Sequence, residues 1–191
     1  IDIIAGARPN FIKIASLIDS INKTKKKIKF RLVHTGQHFD QNMSGNFFNE
    51  LEIPQPDINL EAGGGSQSEQ TAKIMIGYEN VLMKSSPDLC LVVGDVNSTL
   101  ACSIVAKKMG LKVAHVEAGI RSGDISMPEE INRIVTDSIS DYFFTTSEFA
   151  NKNLIKMGVP RSKIFFVGNT MIDTLLKRIK ILKKPIIWNE V

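Results

Sequence analysis

Apolar residues along this chain come in two rhythms. Short, mainly apolar runs at Asp2–Ala5, Phe30–Val33, Leu89–Val93, Val113–Val116, Tyr142–Thr145 and Lys163–Val167 have the length of buried strands. Between them apolar positions recur at helical spacing: Phe11, Ile14, Leu17, Ile18 and Ile21, then Ile74, Ile76, Val81 and Leu82. Further helices are predicted up to Met109, from Pro128, and from Ser147 to Met157, the last closed by Gly158. The Leu89–Val93 run is continuous, as a parallel strand covered on both faces requires. Strand and helix alternating in this way predict an α/β fold built on a doubly wound parallel sheet.

The breaks in the rhythm mark organisation. Residues 44–51 suggest a short helix, and Pro54 and Pro56 interrupt the chain before an extended segment at 57–60. Glu61 to Ser68 (EAGGGSQS) is the most flexible stretch. A periodic helix follows it at once, so it is expected to be a loop within one domain, and a candidate lid, rather than a linker. The sheet is expected to be complete within residues 1–168. Residues 169–191 are expected to be a basic linker helix and the start of a further lobe, with residues 185–191 running out without a partner.

Composition narrows the class. At 191 residues, 43% hydrophobic and 23% charged, the chain can bury a full core as a globular protein. No run of 18 apolar residues is present, so no membrane span is expected, and a cytoplasmic setting is the default. The net charge of +4 comes from Lys23–Lys29 and Lys177–Lys184, which lack interleaved aromatics and read as solvated surface, not as a nucleic-acid site. Cys90 and Cys102 fall among apolar residues and read as small buried hydrophobes. No residues have metal-ligand spacing, so no metal is expected.

The chemistry concentrates in Lys112–Arg133, KVAHVEAGIRSGDISMPEEINR. A strand delivers Glu117 at its end, a glycine-hinged loop carries Arg121 and Asp124, and Pro128 opens a helix bearing Glu129, Glu130 and Arg133. Glu129 and Arg133 are four apart and share a helix face, where an ordinary ion pair is the simpler explanation for each alone. In open α/β sheets ligands bind beyond the carboxyl ends of strands, which is where Glu117 falls. Other strand ends are also polar. Asp95 follows Gly94 ahead of a helix; it could cap that helix, or Ser98 could, leaving Asp95 for chemistry. His34 reads as a core histidine, whereas His38 sits in a loop and can reach a ligand. Arg8 and Lys13 flank a helix N-terminus begun by Pro9, a place suited to an anion such as phosphate.

The segments Gly6-Ala7-Arg8-Pro9, Lys13, Thr35-Gly36-Gln37-His38, Gly94-Asp95, HVEAGIRSG at 115–123, PEEINR at 128–133 and Gly168-Asn169 carry a resemblance over most of the chain. The chain resembles the N-terminal lobe of the non-hydrolysing UDP-N-acetylglucosamine 2-epimerases. That resemblance implies a Rossmann-like lobe, one of two in a glycosyltransferase-B-like arrangement, with a UDP-sugar between them. It implies interconversion of UDP-GlcNAc and UDP-ManNAc by elimination of UDP to 2-acetamidoglucal and its re-addition, with no metal or cofactor. Asp95, Glu117, Glu129 and Arg133 then match the catalytic positions, without a choice of which carboxylate handles the C2 proton. Arg8, Lys13, Gln37, His38 and Arg121 match substrate-binding positions. The implied partners are the missing C-terminal lobe and, for the full-length protein, a second copy in a homodimer, with a place in polysaccharide biosynthesis. The chain departs from the pattern at Asn10, where many members have Glu, and at Phe39-Asp40, where Arg-Glu is common near an activator site. A hydrolysing 2-epimerase and a nucleotide-sugar-binding domain without turnover are the alternatives.

Overall fold

A computed structural model describes residues 1–25, 27–36 and 48–179. Seven strands form one sheet: β1 (Asp2–Ala5), β2 (Arg31–His34), β3 (Ile58–Asn59), β4 (Leu89–Val93), β5 (Lys112–Val116), β6 (Tyr142–Thr145) and β7 (Ile164–Phe166). All neighbours are parallel, in the order β3-β2-β1-β4-β5-β6-β7. The chain winds outward from β1 in one direction and from β4 in the other. The carboxyl ends of β1 and β4 therefore flank the crevice where such sheets take ligands. The doubly wound parallel α/β fold, a Rossmann-like sheet with flanking helices, is what the alternating pattern predicted.

Among the described residues the longer helices flanking the sheet are α1 (Arg8–Lys23), α2 (Gln67–Lys84), α3 (Asn97–Lys108), α4 (Pro128–Ile139), α5 (Glu148–Lys156) and α6 (Thr170–Arg178). Pro9 and Pro128 stand in the first turns of α1 and α4, where a missing N–H costs nothing. α2 opens on a capping box: Ser66 Oγ accepts from the Glu69 amide at 3.2 Å, and Glu69 Oε2 accepts from the Ser66 amide at 2.7 Å. The glycine-rich stretch ends in that cap. Alternate residues of β4 feed two cores, Leu91 and Val93 beneath α1, Cys90 and Val92 beneath α2 and α3. Both cysteines are free and fully buried.

One expectation changes in detail. Ile76 is 62% exposed, because the buried stripe of α2 runs through Ile74, Tyr78 and Leu82, four apart. In the described part of the chain beyond Asn169, α6 lies against α1, with Thr174 Oγ1 donating to the Ile12 carbonyl at 2.8 Å and Lys177 paired to Asp19 at 3.0 Å; residues 185–191 lie outside the described ones. Its buried residues are Thr170 and Thr174, so no apolar stripe advertised the contact. The helix expected at 44–51 is seen only over 48–51; its earlier residues lie outside the described ones. Among the described residues no helix is long and apolar enough to cross a membrane.

Candidate active site

The site begins with two adjacent strands in parallel register, Val93 of β4 beside Val116 of β5. Beyond β4 the chain turns through Gly94 (φ +71°) to Asp95, and beyond β5 through Glu117 (φ +72°) and Gly119 (φ +78°). A left-handed conformation is routine for glycine but costs a glutamate about 1 kcal/mol or more. Something must hold Glu117 there. Its amide donates to the Phe144 carbonyl at 2.9 Å, and its carboxylate forms an ion pair with the Lys13 ammonium from α1.

Lys13 is buried, an unusual state for a lysine and one that needs a counter-charge. Its ammonium lies over the backbone of Gly94. A Cβ added there would stand 3.0 Å from Lys13 Nζ, 3.7 Å from Asn10 Nδ2 and 3.8 Å from Glu117 Oε2. The left-handed φ and the ammonium so close above it together favour glycine where α1 and the β5 turn meet over the end of β4. Asn10 fastens the same corner: its Oδ1 accepts from the amides of Gly6 (3.1 Å) and Ala7 (3.0 Å), and its Nδ2 donates to the Val93 carbonyl at 3.0 Å. That last bond needs a donor, which a carboxylate lacks. The departure at Asn10 is thus a neutral clamp between β1 and β4.

Helix α4 supplies the other wall. Arg133 reaches Asp95 with one guanidinium nitrogen and Glu130 Oε2 with another at 3.0 Å. The i,i+4 pair expected between Glu129 and Arg133 is replaced by these contacts. Glu129 is half-buried and makes no hydrogen bond or ion pair among the described residues. Glu130, one position on, turns inward and is 2% exposed. It accepts from the amides of Ser122 (2.9 Å) and Gly123 (3.2 Å), fixing the loop. Burial pushes the Glu130 carboxyl up, but those amides and Arg133 outweigh it and hold it down at about 2. Neither Asp95 nor Ser98 caps α3: Val96 takes that place, Ser98 Oγ shares a 2.7 Å hydrogen bond with Thr35 Oγ1, and Asp95 turns to Arg133. Asn132 Nδ2 donates to the Asp95 carbonyl at 2.8 Å.

Behind this front lies a buried layer that the sequence did not reveal. His115 and Asp137 meet at 2.6 Å, and Asp137 also accepts from the Gly119 amide (3.0 Å) and pairs with Arg121 (2.7 Å). Burial raises the Asp137 carboxyl, yet His115 and Arg121 beside it leave it below the ordinary range. Arg121, expected to face substrate, spends its guanidinium on Asp137, its neighbour's Ile120 carbonyl and Met157 Sδ. Arg8 is exposed at the first turn of α1. Gln37 and His38 lie outside the described residues. His34 is fully buried, stacked on Phe11 at 5.3 Å, with Nδ1 accepting from the Gly36 amide at 2.9 Å. Among the described residues no group of three or more His, Cys, Asp or Glu side chains could hold a metal ion.

The structure thus gathers Asp95, Glu117, Lys13 and Arg133 around Gly94, with Glu129 on the adjoining helix turn. Two carboxylates, each beside its own cation, can move protons and steady developing charge within one crevice.

The family model described as UDP-N-acetylglucosamine 2-epimerase matches residues 20–191. A UDP-N-acetylglucosamine 2-epimerase of Methanocaldococcus jannaschii is 47% identical over 96% of this chain and 50% of its own length. A UDP-2,3-diacetamido-2,3-dideoxy-D-glucuronate 2-epimerase of Pseudomonas aeruginosa is 45% identical over 91% of this chain and 49% of its own. The crystal structure of the M. jannaschii UDP-GlcNAc 2-epimerase in complex with UDP-GlcNAc and UDP superposes with a TM-score of 0.92 at 46% identity, covering 99% of this chain and 52% of that one. The chain spans about half the length of the curated relatives it matches.

Proposed function

This chain belongs to the UDP-N-acetylglucosamine 2-epimerase family, and we propose that it forms one lobe of a two-lobed enzyme interconverting UDP-GlcNAc and UDP-ManNAc. The observation that supports this most is the convergence of Asp95 and Glu117, each with a paired cation, over Gly94 at the strand ends. Epimerisation at C2 asks for that equipment. A base takes the C2 proton, the C2–H electron pair becomes the C1–C2 double bond, and the C1–O bond breaks with UDP carrying away the electrons. Re-addition of UDP to the resulting 2-acetamidoglucal, with a proton delivered to the opposite face of C2, completes the inversion. Asp95, Glu117 and Glu129 are the groups available for these proton transfers, and Arg133 steadies the charge they develop. Arg8 and Lys13, at the N-terminal part of α1, suit the diphosphate. A diphosphate near Lys13 would compete with Glu117 for its ammonium. Gln37, His38 and Arg121 remain proposed substrate contacts, Arg121 requiring release from Asp137.

The C-terminal lobe would close the crevice and contribute further groups. We place the enzyme in the cytoplasm, a setting that two free, buried cysteines fit. The test is direct. Full-length protein incubated with UDP-GlcNAc in deuterated water should yield UDP-ManNAc with deuterium at C2. Release of free ManNAc and UDP would instead identify a hydrolysing enzyme, and no reaction would leave a binding domain. The P. aeruginosa relative, at similar identity, is named for a different UDP-2-acetamido sugar. The same assay with that sugar therefore decides how far the C3 and C6 substituents matter.

A further inference from the structure

We propose that His115 and Asp137 form the positioning pair of this site, a buried contact that holds the Gly94–Asp95 turn and the Glu117–Gly119 turn in one geometry. The proposal rests on the functional reading above. Neither side chain can touch a ligand: His115 is 0% and Asp137 2% exposed. What they touch is backbone on both sides of the proposed crevice. His115 Nε2 faces the Gly94 carbonyl at 2.8 Å, and a carbonyl only accepts, so the ring carries a proton there. Nδ1 meets Asp137 Oδ1 at 2.6 Å. The other Asp137 oxygen takes the Gly119 amide at 3.0 Å and Arg121 Nη1 at 2.7 Å.

Each end of that chain of contacts bears on a reacting group. The Gly94 carbonyl belongs to the same rigid peptide plane as the Asp95 amide, so orienting it sets the direction in which Asp95 leaves β4. Asn132 holds the carbonyl on the far side of Asp95, so both flanking peptides are pinned. Glu117 and Gly119 are both left-handed, and a turn of that kind needs anchors to persist. Asp137 supplies one at Gly119, while Asn153 Nδ2 donates to the Gly119 carbonyl at 2.9 Å. Asp137 also lies one turn beyond Arg133 on α4, so the helix that grips Asp95 grips the β5 turn too. A buried polar pair serving the core alone would need none of these backbone contacts at the crevice.

The experiment uses full-length protein whose wild-type turnover of UDP-GlcNAc has been established. Outer groups that orient reacting ones typically change activity on the order of 10–100-fold. His115→Ala should lower kcat by that factor while KM stays within about threefold, since His115 itself bears on Gly94 and Asp137 and not on a proposed substrate contact. Asp137→Asn, nearly isosteric, should fold and lose kcat by a similar factor. His115→Gln, whose amide can donate to the Gly94 carbonyl, should recover most of the loss of His115→Ala. Folded His115→Ala or Asp137→Asn with kcat within about twofold of wild type would overturn the proposal, as would equal losses in the Ala and Gln variants. If His115→Ala does not fold, Asp137→Asn and His115→Gln are judged by the same criteria. If wild type itself is inactive, the functional reading fails and amide exchange decides the positioning role. The Gly119 and Gly94 amides should then exchange at least about tenfold faster in Asp137→Asn, with β1 unchanged, and equal rates would overturn the pair.

Discussion

Glu117 and Glu129 differ in their surroundings although both belong to the proposed chemistry. Glu117 is paired with Lys13, whereas Glu129 is half-buried without a described partner. Replacing either by Gln changes little packing and removes charge and proton transfer, so each variant of the full-length protein should lose turnover by roughly 100-fold or more. Deuterium entry at C2 should fall in step for the residue that handles that proton. A variant that loses turnover yet exchanges C2 at the wild-type rate acts on UDP departure instead, and full turnover in both would reduce them to surface carboxylates. Glu130 should behave differently. Its carboxyl is held at about 2 in the folded protein, below the ordinary value of 4.5, so its stabilisation is complete above about pH 4.5 and lost as pH falls toward 2. Glu130→Gln should therefore cost roughly 1–3 kcal/mol at pH 7, and thermal melts of variant and wild type should converge near pH 2. An equal difference at both pH values would exclude the loop-anchoring role. The sequence exposed Glu129 and Glu130 as adjacent acids in a first helical turn, but a rotation of about 100° separates their environments. Only the packing of α4 against the β4 and β5 turns decides which faces inward. Asn10, His115 and Asp137 escaped for a related reason: each acts on backbone from a different element, which no spacing within one segment reveals.

Elements were more legible than their partners. The continuous run Leu89–Val93 signalled a strand buried on both faces, and its alternate residues do feed two cores. Glycines after β1, β2, β4 and β5 (Gly6, Gly36, Gly94 and Gly119) marked turns at those strand ends. Helix α6 was legible as a helix but not as a packed one, because Thr170 and Thr174, not apolar residues, face α1. Nine residues alone in water scarcely hold a helix, so α6 should be helical only while docked. Its amides should then be protected from hydrogen exchange. Thr174→Lys, which buries a charge at a position 5% exposed, should abolish that protection while sparing α1 and the sheet. Exchange of α6 at unstructured rates in the wild type would refute the docking. The opposite face of α6, with Ile172, Leu175 and Leu176 all more than half exposed, leaves the helix little other reason to persist.

At the scale of the molecule, all seven strands of the sheet and the apolar clusters on both of its faces lie among the described residues, so the chain should unfold in one cooperative thermal transition. A dye-binding state without a transition would contradict that. Folding and catalysis are separable here. Asp95, Glu117, Lys13 and Arg133 all lie on one side of a crevice, at the ends of β4 and β5 and on α1 and α4. In the proposed enzyme the facing lobe excludes water, fixes the sugar against these groups and adds its own contacts to UDP. Positioning of this kind accounts for many powers of ten in rate, and groups that act as a unit fail together when part is removed. Purified chain, 191 residues long, should therefore show no measurable conversion of UDP-GlcNAc even though it folds. The measurement is UDP-ManNAc formed in deuterated water by protein freed of host epimerase, with a Glu117→Gln preparation carried through the same steps to expose contamination. Turnover by the wild-type chain and not by the Glu117→Gln chain would mean that one lobe suffices, and that the crevice described here already holds every group the reaction needs.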